Sequence, residues 1–427
     1  MSIITSKYTM TPINNKDASN IQATSHTIPT ISDTCKIEDT RILKDFKNQT
    51  FGGYNISKAS SALDKAIIDD KIEPALHWAL QLFLSGIINQ LWIKLLSLAS
   101  KSINIYNPKL PEFLYNKNQQ WQKIVNNTKY TKDNILLLRN HPTIRLLLAE
   151  LISVLVLSKK HKLHTLPTIK KNEFIIDIFK SKLEAKDNKL VETIILDGDP
   201  SEIRISVNEM AYHIYNRNSA KALYWLNWMI DWEKINSKKY GKYECASRTI
   251  NGVDGKYFKD IVWLFWGVIN KIAALKCSYG NNSEWNKQIH YLWNLYINNF
   301  TPSTRTKKQS YMIWSILYIT ETIDYAVPLI DRPELLFQSL LGFDKMIVSL
   351  KSQQVIHNNS NHNLINVVVE NNYMKPENYN QLEKHKHNLQ LAKQQTEKEH
   401  IAKKKHINVE SLDKLNEISK LDKYLFA

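Results

Sequence analysis

The sequence predicts an all-α protein of two helical domains with polar ends. Three observations carry that prediction. The 427 residues include only 10 Gly and 12 Pro, too few tight turns for a parallel-sheet enzyme with phosphate loops. Hydrophobic residues make up 43% of the chain, and 11 Trp, 20 Tyr and 12 Phe supply ample core volume. Through most of the middle, apolar residues recur every three or four positions, the period of an amphipathic helix.

Residues 1–50 are rich in Ser, Thr, Asn and Ile without steady periodicity, and are expected to form a disordered or loosely attached arm. From residue 56 the pattern changes. Ala59, Ala62, Leu63, Ala66 and Ile67 form one stripe, and Ala75, Leu76, Ala79, Leu80, Phe83 and Leu84 repeat it, with Pro74 in the tolerated first turn. A third helical run, 91–98, ends before Asn107-Pro108. Two more candidates lie between 121 and 157, divided by Asn140-His141-Pro142, and the second (144–157) is apolar almost all round, as a central core helix should be. A lysine-rich connection follows. Helical runs at 173–183, 202–216 and 219–234 come next, the last carrying Trp225, Trp228 and Trp232 as core or interface residues. A polar loop is expected at 236–256, then helices at 257–275, 284–300 and 309–325. Beyond these lie a charged helical stretch at 382–405 and a short amphipathic terminus at 412–426.

These elements divide into an arm (1–50), a first helical domain (51–165), a second, aromatic-rich helical domain (166–350), and a polar linker with a charged helical tail (351–427). Ala75-Leu76-His77-Trp78 is echoed by Ala222-Leu223-Tyr224-Trp225, which reads as two helices meeting one packing demand rather than as a duplication.

Lys and Arg outnumber Asp and Glu by 57 to 41, for a net charge of +16. That balance favours a polyanionic partner, nucleic acid or an acidic membrane surface, although a bias towards Asn, Ile and Lys codons accounts for part of it. Cys35, Cys245 and Cys277 lie far apart without metal-ligand spacing, as expected in a reducing compartment. Neither an apolar leader nor a membrane-length apolar run is read, so a soluble intracellular protein is expected, in the nucleus or at a viral replication site if the source is a eukaryotic virus.

No catalytic, cofactor or metal-binding residues are assigned. Asp197, Asp199, Glu202 and Glu209 cluster in sequence, but Asp199-Pro200-Ser201-Glu202 reads as a helix start with a capping Asp, an early Pro and a Glu. His385, His387, His400 and His406 lack the spacing and partners for zinc. The candidate DNA-contacting residues are Lys159, Lys160, Lys162, Lys170 and Lys171, with His161 and His164 beside them. To these are added Lys238, Lys239, Tyr240, Lys242 and Tyr243, where tyrosines among lysines suit stacking on unpaired bases. Arg305, Lys307 and Lys308 precede an apolar helix and could meet a phosphate with its backbone N–H groups. Lys398–Lys405 forms a further basic stretch, and residues 421–426 loosely resemble a sliding-clamp-binding peptide.

One segment resembles a known family. Ser61-Ala62-Leu63, Lys65, Ile67, Ala75-Leu76-His77-Trp78 and Gly86, followed by Ala99-Ser100, Ile103 and Asn107-Pro108, are similar to the helical collar of RarA/MgsA-type clamp-loader-related ATPases, relatives of the Werner-helicase-interacting protein. The family's arginine pair after the glycine is Lys94-Leu95 here, and its acidic pair is Lys101-Ser102. No G-x-x-x-x-G-K-[ST] phosphate loop occurs in the sequence. The resemblance implies an oligomer-forming, clamp-loader-collar-like domain without the motor. The expected role is a non-catalytic DNA-binding accessory or scaffold in replication, recombination or repair. Its partners would be single-stranded or forked DNA, replication proteins or a separate AAA+ ATPase, and further copies of itself. The aromatic helices and compositional bias also look similar to proteins of large nucleocytoplasmic DNA viruses. A viral structural or nucleoid-packaging protein and a transcription accessory factor are the alternative readings.

Overall fold

In the computed structural model, residues 33–359 are described except 128, 132 and 279–282. The architecture is all-α. Among the described residues there is no strand, only an isolated bridge between Gln49 and Asn55.

The chain opens with a helical hairpin, α1 (Ile56–Ile68) and α2 (Ile72–Leu84). Asp70 sits in the left-handed region (φ +57°), and the Lys71 N–H reaches back to the Ala66 carbonyl at 2.9 Å, closing the last turn of α1. α3 (Ile88–Ser102) and α4 (Leu110–Val125) follow, with Trp92 and Trp121 stacked 4.0 Å apart between them. α5 (Pro142–Leu157) is buried on nearly every side and touches α1 to α4. Its one buried cation, Arg145, is consumed internally. The guanidinium donates to the Arg139 and Cys35 carbonyls, to Asn140 Oδ1, and to Asp344.

A short α6 (Ile176–Lys180) leads to a second hairpin, α7 (Ser201–Tyr215) and α8 (Ser219–Tyr240). Its turn copies the first. Arg217 has φ +57°, and the Asn218 N–H bonds the His213 carbonyl at 2.8 Å. The Ala-Leu-aromatic-Trp echo is thereby explained: Ala75 and Ala222 are each the fourth residue of the second helix in such a hairpin, and both are fully buried. α9 (Val262–Ser278), α10 (Ser283–Ile297), α11 (Pro302–Thr320) and α12 (Pro333–Asn359) complete the described chain. α11 is buried all round from Ser310 to Thr320 and serves the second half as α5 serves the first. The halves meet extensively, α4 on α10, α3 on α11, and α5 on α12, and their buried side chains form one continuous cluster across residue 165.

Several expectations are corrected. Residues 33–50 are not a loose arm. Ile37 and Phe46 are buried, Asn140 brackets the Ile37 backbone with bonds of 2.8 and 2.9 Å, and Arg41 and Arg139 lie over the Phe46 ring. These anchors are irregularly spaced, so periodicity could not reveal them. The candidate helix after residue 121 is instead the end of α4, which starts at Leu110, and a 3-10 turn, Ile135–Asn140. The run at 173–183 contains only a 3-10 turn and the five-residue α6. α8 extends to Tyr240, into the expected loop, and α12 has no counterpart among the expected helices. Residues 1–32 of the arm and the tail from 360 onward, with His385, His387, His400, His406, Lys398–Lys405 and the terminal peptide, lie outside the described residues.

Candidate nucleic-acid interface

After α5 the chain cannot continue as a helix. Ser158 is extended, Pro167 lacks an N–H, and residues 159–171 (KKHKLHTLPTIKK) contain five lysines, two histidines and no carboxylate. The segment runs as an extended strap. His161 and Leu163 donate backbone N–H groups to the Ser102 and Lys101 carbonyls at 2.7 and 2.8 Å. Further along, Asn227 on α8 donates to the Pro167 carbonyl at 2.8 Å.

This pinning sorts the lysines. Lys160 turns inward, where its Nζ donates to the Val156 and Ser158 carbonyls and to Asp70 at 2.6–2.8 Å. Burial lowers its pKa, against the opposing pull of Asp70. It terminates α5 and is withdrawn from the candidate surface. Lys159, Lys162, Lys170 and Lys171 point outward, and none has an ion-pair partner among the described residues.

The other two basic groups are altered more deeply. Lys238, Lys239 and Tyr240 are exposed at the end of α8, with Lys239 Nζ 4.8 Å from the Tyr240 ring centre. Lys242, however, pairs with Glu244. Tyr243 faces inward and donates its hydroxyl to Glu202 at 2.8 Å; burial and then the Glu202 charge raise its pKa, so it offers no stacking face. Arg305 and Lys308 do not precede a helix. They lie in the first two turns of α11, which Thr301 caps. Arg305 is locked to Glu233 at 2.5 and 2.8 Å and to Asp260 at 3.0 Å. Lys308 donates to the Tyr296 and Asn298 carbonyls at the end of α10, and burial lowers its pKa to about 8. Only Lys307 of that trio is exposed. Sequence spacing does not reveal the inward turn of either cation, because a long aliphatic stem lets a charge reach back into the fold.

The carboxylate cluster disperses in the same way. Asp199 does not cap α7, whose N-terminal residue is preceded by Pro200 without a side-chain cap. Its carboxylate instead accepts from Arg248 and from the Leu196 and Ala246 N–H groups. Glu202 accepts from Trp232 Nε1 and Tyr243, while Glu209 caps the backbone N–H groups of Glu184 and Ala185. Among the described residues no group of three acidic, His or Cys side chains could hold a metal ion.

No known protein family, curated protein or solved structure matches the chain. Within residues 61–108, Leu63, Ile67, Ala75, Leu76, Gly86, Ala99, Ser100, Ile103 and Pro108 are buried, Ala62 and Trp78 are half-buried, and Ser61 and Lys65 are exposed. Gly86 is required locally: at φ +79° an added Cβ would meet Leu136 and Leu43 at 2.7 Å. Ser100 joins Ser310 of α11 at 2.7 Å, and the Pro108 carbonyl accepts from Tyr318. No helix among the described residues is long and apolar enough to cross a membrane.

A feature the sequence did not reveal lies beside the strap. Its first residues, the turn after α3 and the loop between α11 and α12 enclose an open cavity of about 560 Å³. Tyr106 stacks on His161 at 4.0 Å, and Lys159 Nζ lies 5.4 Å from the tyrosine ring centre. The facing loop contributes Glu321, Asp324 and Asp331. The three walls come from segments more than 50 residues apart in sequence, and no local pattern announces them.

Proposed function

We propose that this protein is a non-catalytic DNA-binding accessory or scaffold protein in replication, recombination or repair, with the strap at residues 159–171 as its principal contact with phosphate. The observation that carries this reading is the quartet Lys159, Lys162, Lys170 and Lys171, exposed and without an ion pair among the described residues, on a segment that contains no acid. Each such ammonium can displace a condensed counterion from a nucleic-acid backbone, which is the main source of sequence-independent affinity. An aromatic beside a basic rim, as Tyr106 stands beside Lys159, favours unpaired bases over an intact duplex.

The collar resemblance supplies the choice of pathway and the expectation of assembly with further copies, a replication protein or a separate AAA+ ATPase. Self-assembly is tested by sedimentation of the purified chain at several concentrations, and a single monomeric species throughout would remove it. The DNA reading is tested by titrating the protein into labelled single-stranded, duplex and forked DNA across a range of salt. Tight binding that weakens steeply with salt, with preference for single strands or forks, is expected. Equal binding to every form would favour a packaging protein, and no binding at low salt would end the proposal.

A further inference from the structure

One face of α12 is apolar and bare over its first half. Phe337, Leu341, Asp344, Val348 and Lys351 follow one another at intervals of four and three residues, and so form a single stripe along the helix. Phe337 is 63% exposed, more than any other large apolar side chain among the described residues, and Leu341 and Val348 are 58% and 39% exposed. None of the three joins the packed core of the described residues. Exposed Leu146 of α5 and half-buried Leu340 flank the stripe across a shallow groove. An apolar patch of this kind on a monomer often marks a contact surface.

The other half of the same stripe already holds the start of the described chain. The 3-10 turn Asp33–Cys35 lies against it: Cys35 Sγ donates to the Asp344 carbonyl at 3.7 Å, and Lys351 Nζ donates to the Thr34 and Lys36 carbonyls at 2.9 and 2.6 Å. Both charges of the stripe are thereby engaged, Lys351 in those bonds and Asp344 with Arg145. What stays bare is apolar, and the residues that lead into the turn are uncharged. From Ala18 to Ser32 there is no Lys, Arg, Asp or Glu, whereas the terminus at 412–426 carries six such residues. Ile31 stands two residues before the anchored turn and Ile28 three residues before that, with Pro29 between them. Pro29 lacks an N–H and disfavours helix at Ile28. In polyproline II backbone, with three residues per turn, the two isoleucines point the same way about 9 Å apart. Leu341 and Val348, seven residues apart on a helix, are about 10.5 Å apart.

We propose that this face is a docking surface for the chain's own N-terminal segment: residues 28–32 run back along α12 from the Asp33–Cys35 turn, with Ile31 on Val348 and Ile28 on Leu341 and Phe337. The segment extends the pattern of Cys35, Ile37 and Phe46, buried apolar anchors without a regular period. So close to an anchored point, Ile31 gives up little freedom on docking, while residues 412–426 would have to close a loop of about 50 residues from the end of α12. A second copy of the chain fits less well, because a stable dimer buries about 800 Å² per partner, more than these few side chains expose. The docking is independent of the DNA contact.

The test is photo-cross-linking of the full chain with p-benzoylphenylalanine in place of Leu341, followed by trypsin and mass spectrometry. Leu341 is exposed and Ile28 and Ile31 precede the described fold, so these changes leave its core intact. The expected adduct joins the peptide carrying position 341 to the peptide 17–36 within one chain, with fragment ions placing it at residues 26–32. Ile28→Asp together with Ile31→Asp should lower its yield about tenfold or more, since a carboxylate is costly to bury on an apolar face, and the control Ile13→Asp should not. An adduct confined to residues 33–36, an adduct to residues 360–427, or none at all would overturn the proposal, as would a yield indifferent to the double substitution. An adduct between two chains would also overturn it and would assign the face to self-assembly.

Discussion

Asp199 offers the most exacting check on how the carboxylates of this protein are used. Its side chain is completely buried, and it accepts from Arg248 at 2.5 and 2.8 Å, from the Leu196 N–H at 2.8 Å and from the Ala246 N–H at 3.0 Å. Arg248 is itself only 12% exposed at its side chain. Asp199→Ala therefore strands a nearly buried guanidinium and two backbone donors at the junction of α7 with the 242–259 loop. Breaking a buried pair by removing one partner costs about 3–5 kcal/mol. With an unfolding entropy of about 2.1 cal/mol/K per residue over roughly 320 described residues, each kcal/mol lowers Tm by about 1.5 °C. The expected loss is therefore about 4–7 °C in scanning calorimetry. Asp199→Ala with Arg248→Met should lose less than the sum of the single changes, because the second substitution removes the stranded charge. Millimolar Mg²⁺ should leave the Tm of the wild type unchanged. A loss below about 1 kcal/mol, or a Mg²⁺-dependent rise in Tm abolished by the substitution, would refute the structural assignment and reopen the metal reading.

Two further outcomes follow from single side chains. Gly86→Ala places a methyl group against Leu43 and Leu136 at a left-handed backbone position, and should cost about 2–4 kcal/mol in urea denaturation; a neutral result would contradict the turn geometry. Lys308 is held by burial at about 8, against an ordinary value of 10.5. Below pH 8 both folded and unfolded states carry the proton and the buried charge costs stability; between pH 8 and 10.5 the unfolded chain binds more protons, so unfolding free energy rises with pH. Above about pH 10 buried Tyr311, whose ionisation burial pushes upward, reverses the trend. Lys308→Met should flatten the rise between pH 8 and 10 in denaturation curves, and an unchanged slope would refute the assignment.

The helical class was legible because it depends on local periodicity. α5 and α11 announce themselves as apolar on all sides, and α8 by its Trp225, Trp228 and Trp232 stripe packed against Phe174 and Phe179. Even the repeated hairpin left a trace in the Ala-Leu-aromatic-Trp echo, although its cause, one left-handed turn built twice with Asp70 and Arg217, was not visible. What failed to show was long-range. Ile37 and Phe46 reach the core without a period, and Arg145 is satisfied by residues from both ends of the described chain. For the basic surface, sequence located the strap but could not tell Lys160, folded back on α5, from Lys159 and Lys162 beside it. Whether a lysine is available depends on which carbonyls its stem can reach, and that is fixed only by tertiary packing. The cavity beside the strap is invisible for the same reason, since its three walls meet only in the folded chain.

The strap carries the proposed contact with DNA. Its central test is the salt dependence of single-stranded DNA binding for the wild type and for the variant in which Lys159, Lys162, Lys170 and Lys171 are all alanine. Four lost phosphate contacts should reduce the slope of log affinity against log salt by about 3, at roughly 0.7 per contact on a single strand, with the melting temperature unchanged. An identical slope in a folded quadruple variant would contradict the account and place whatever the positive charge does elsewhere on the molecule.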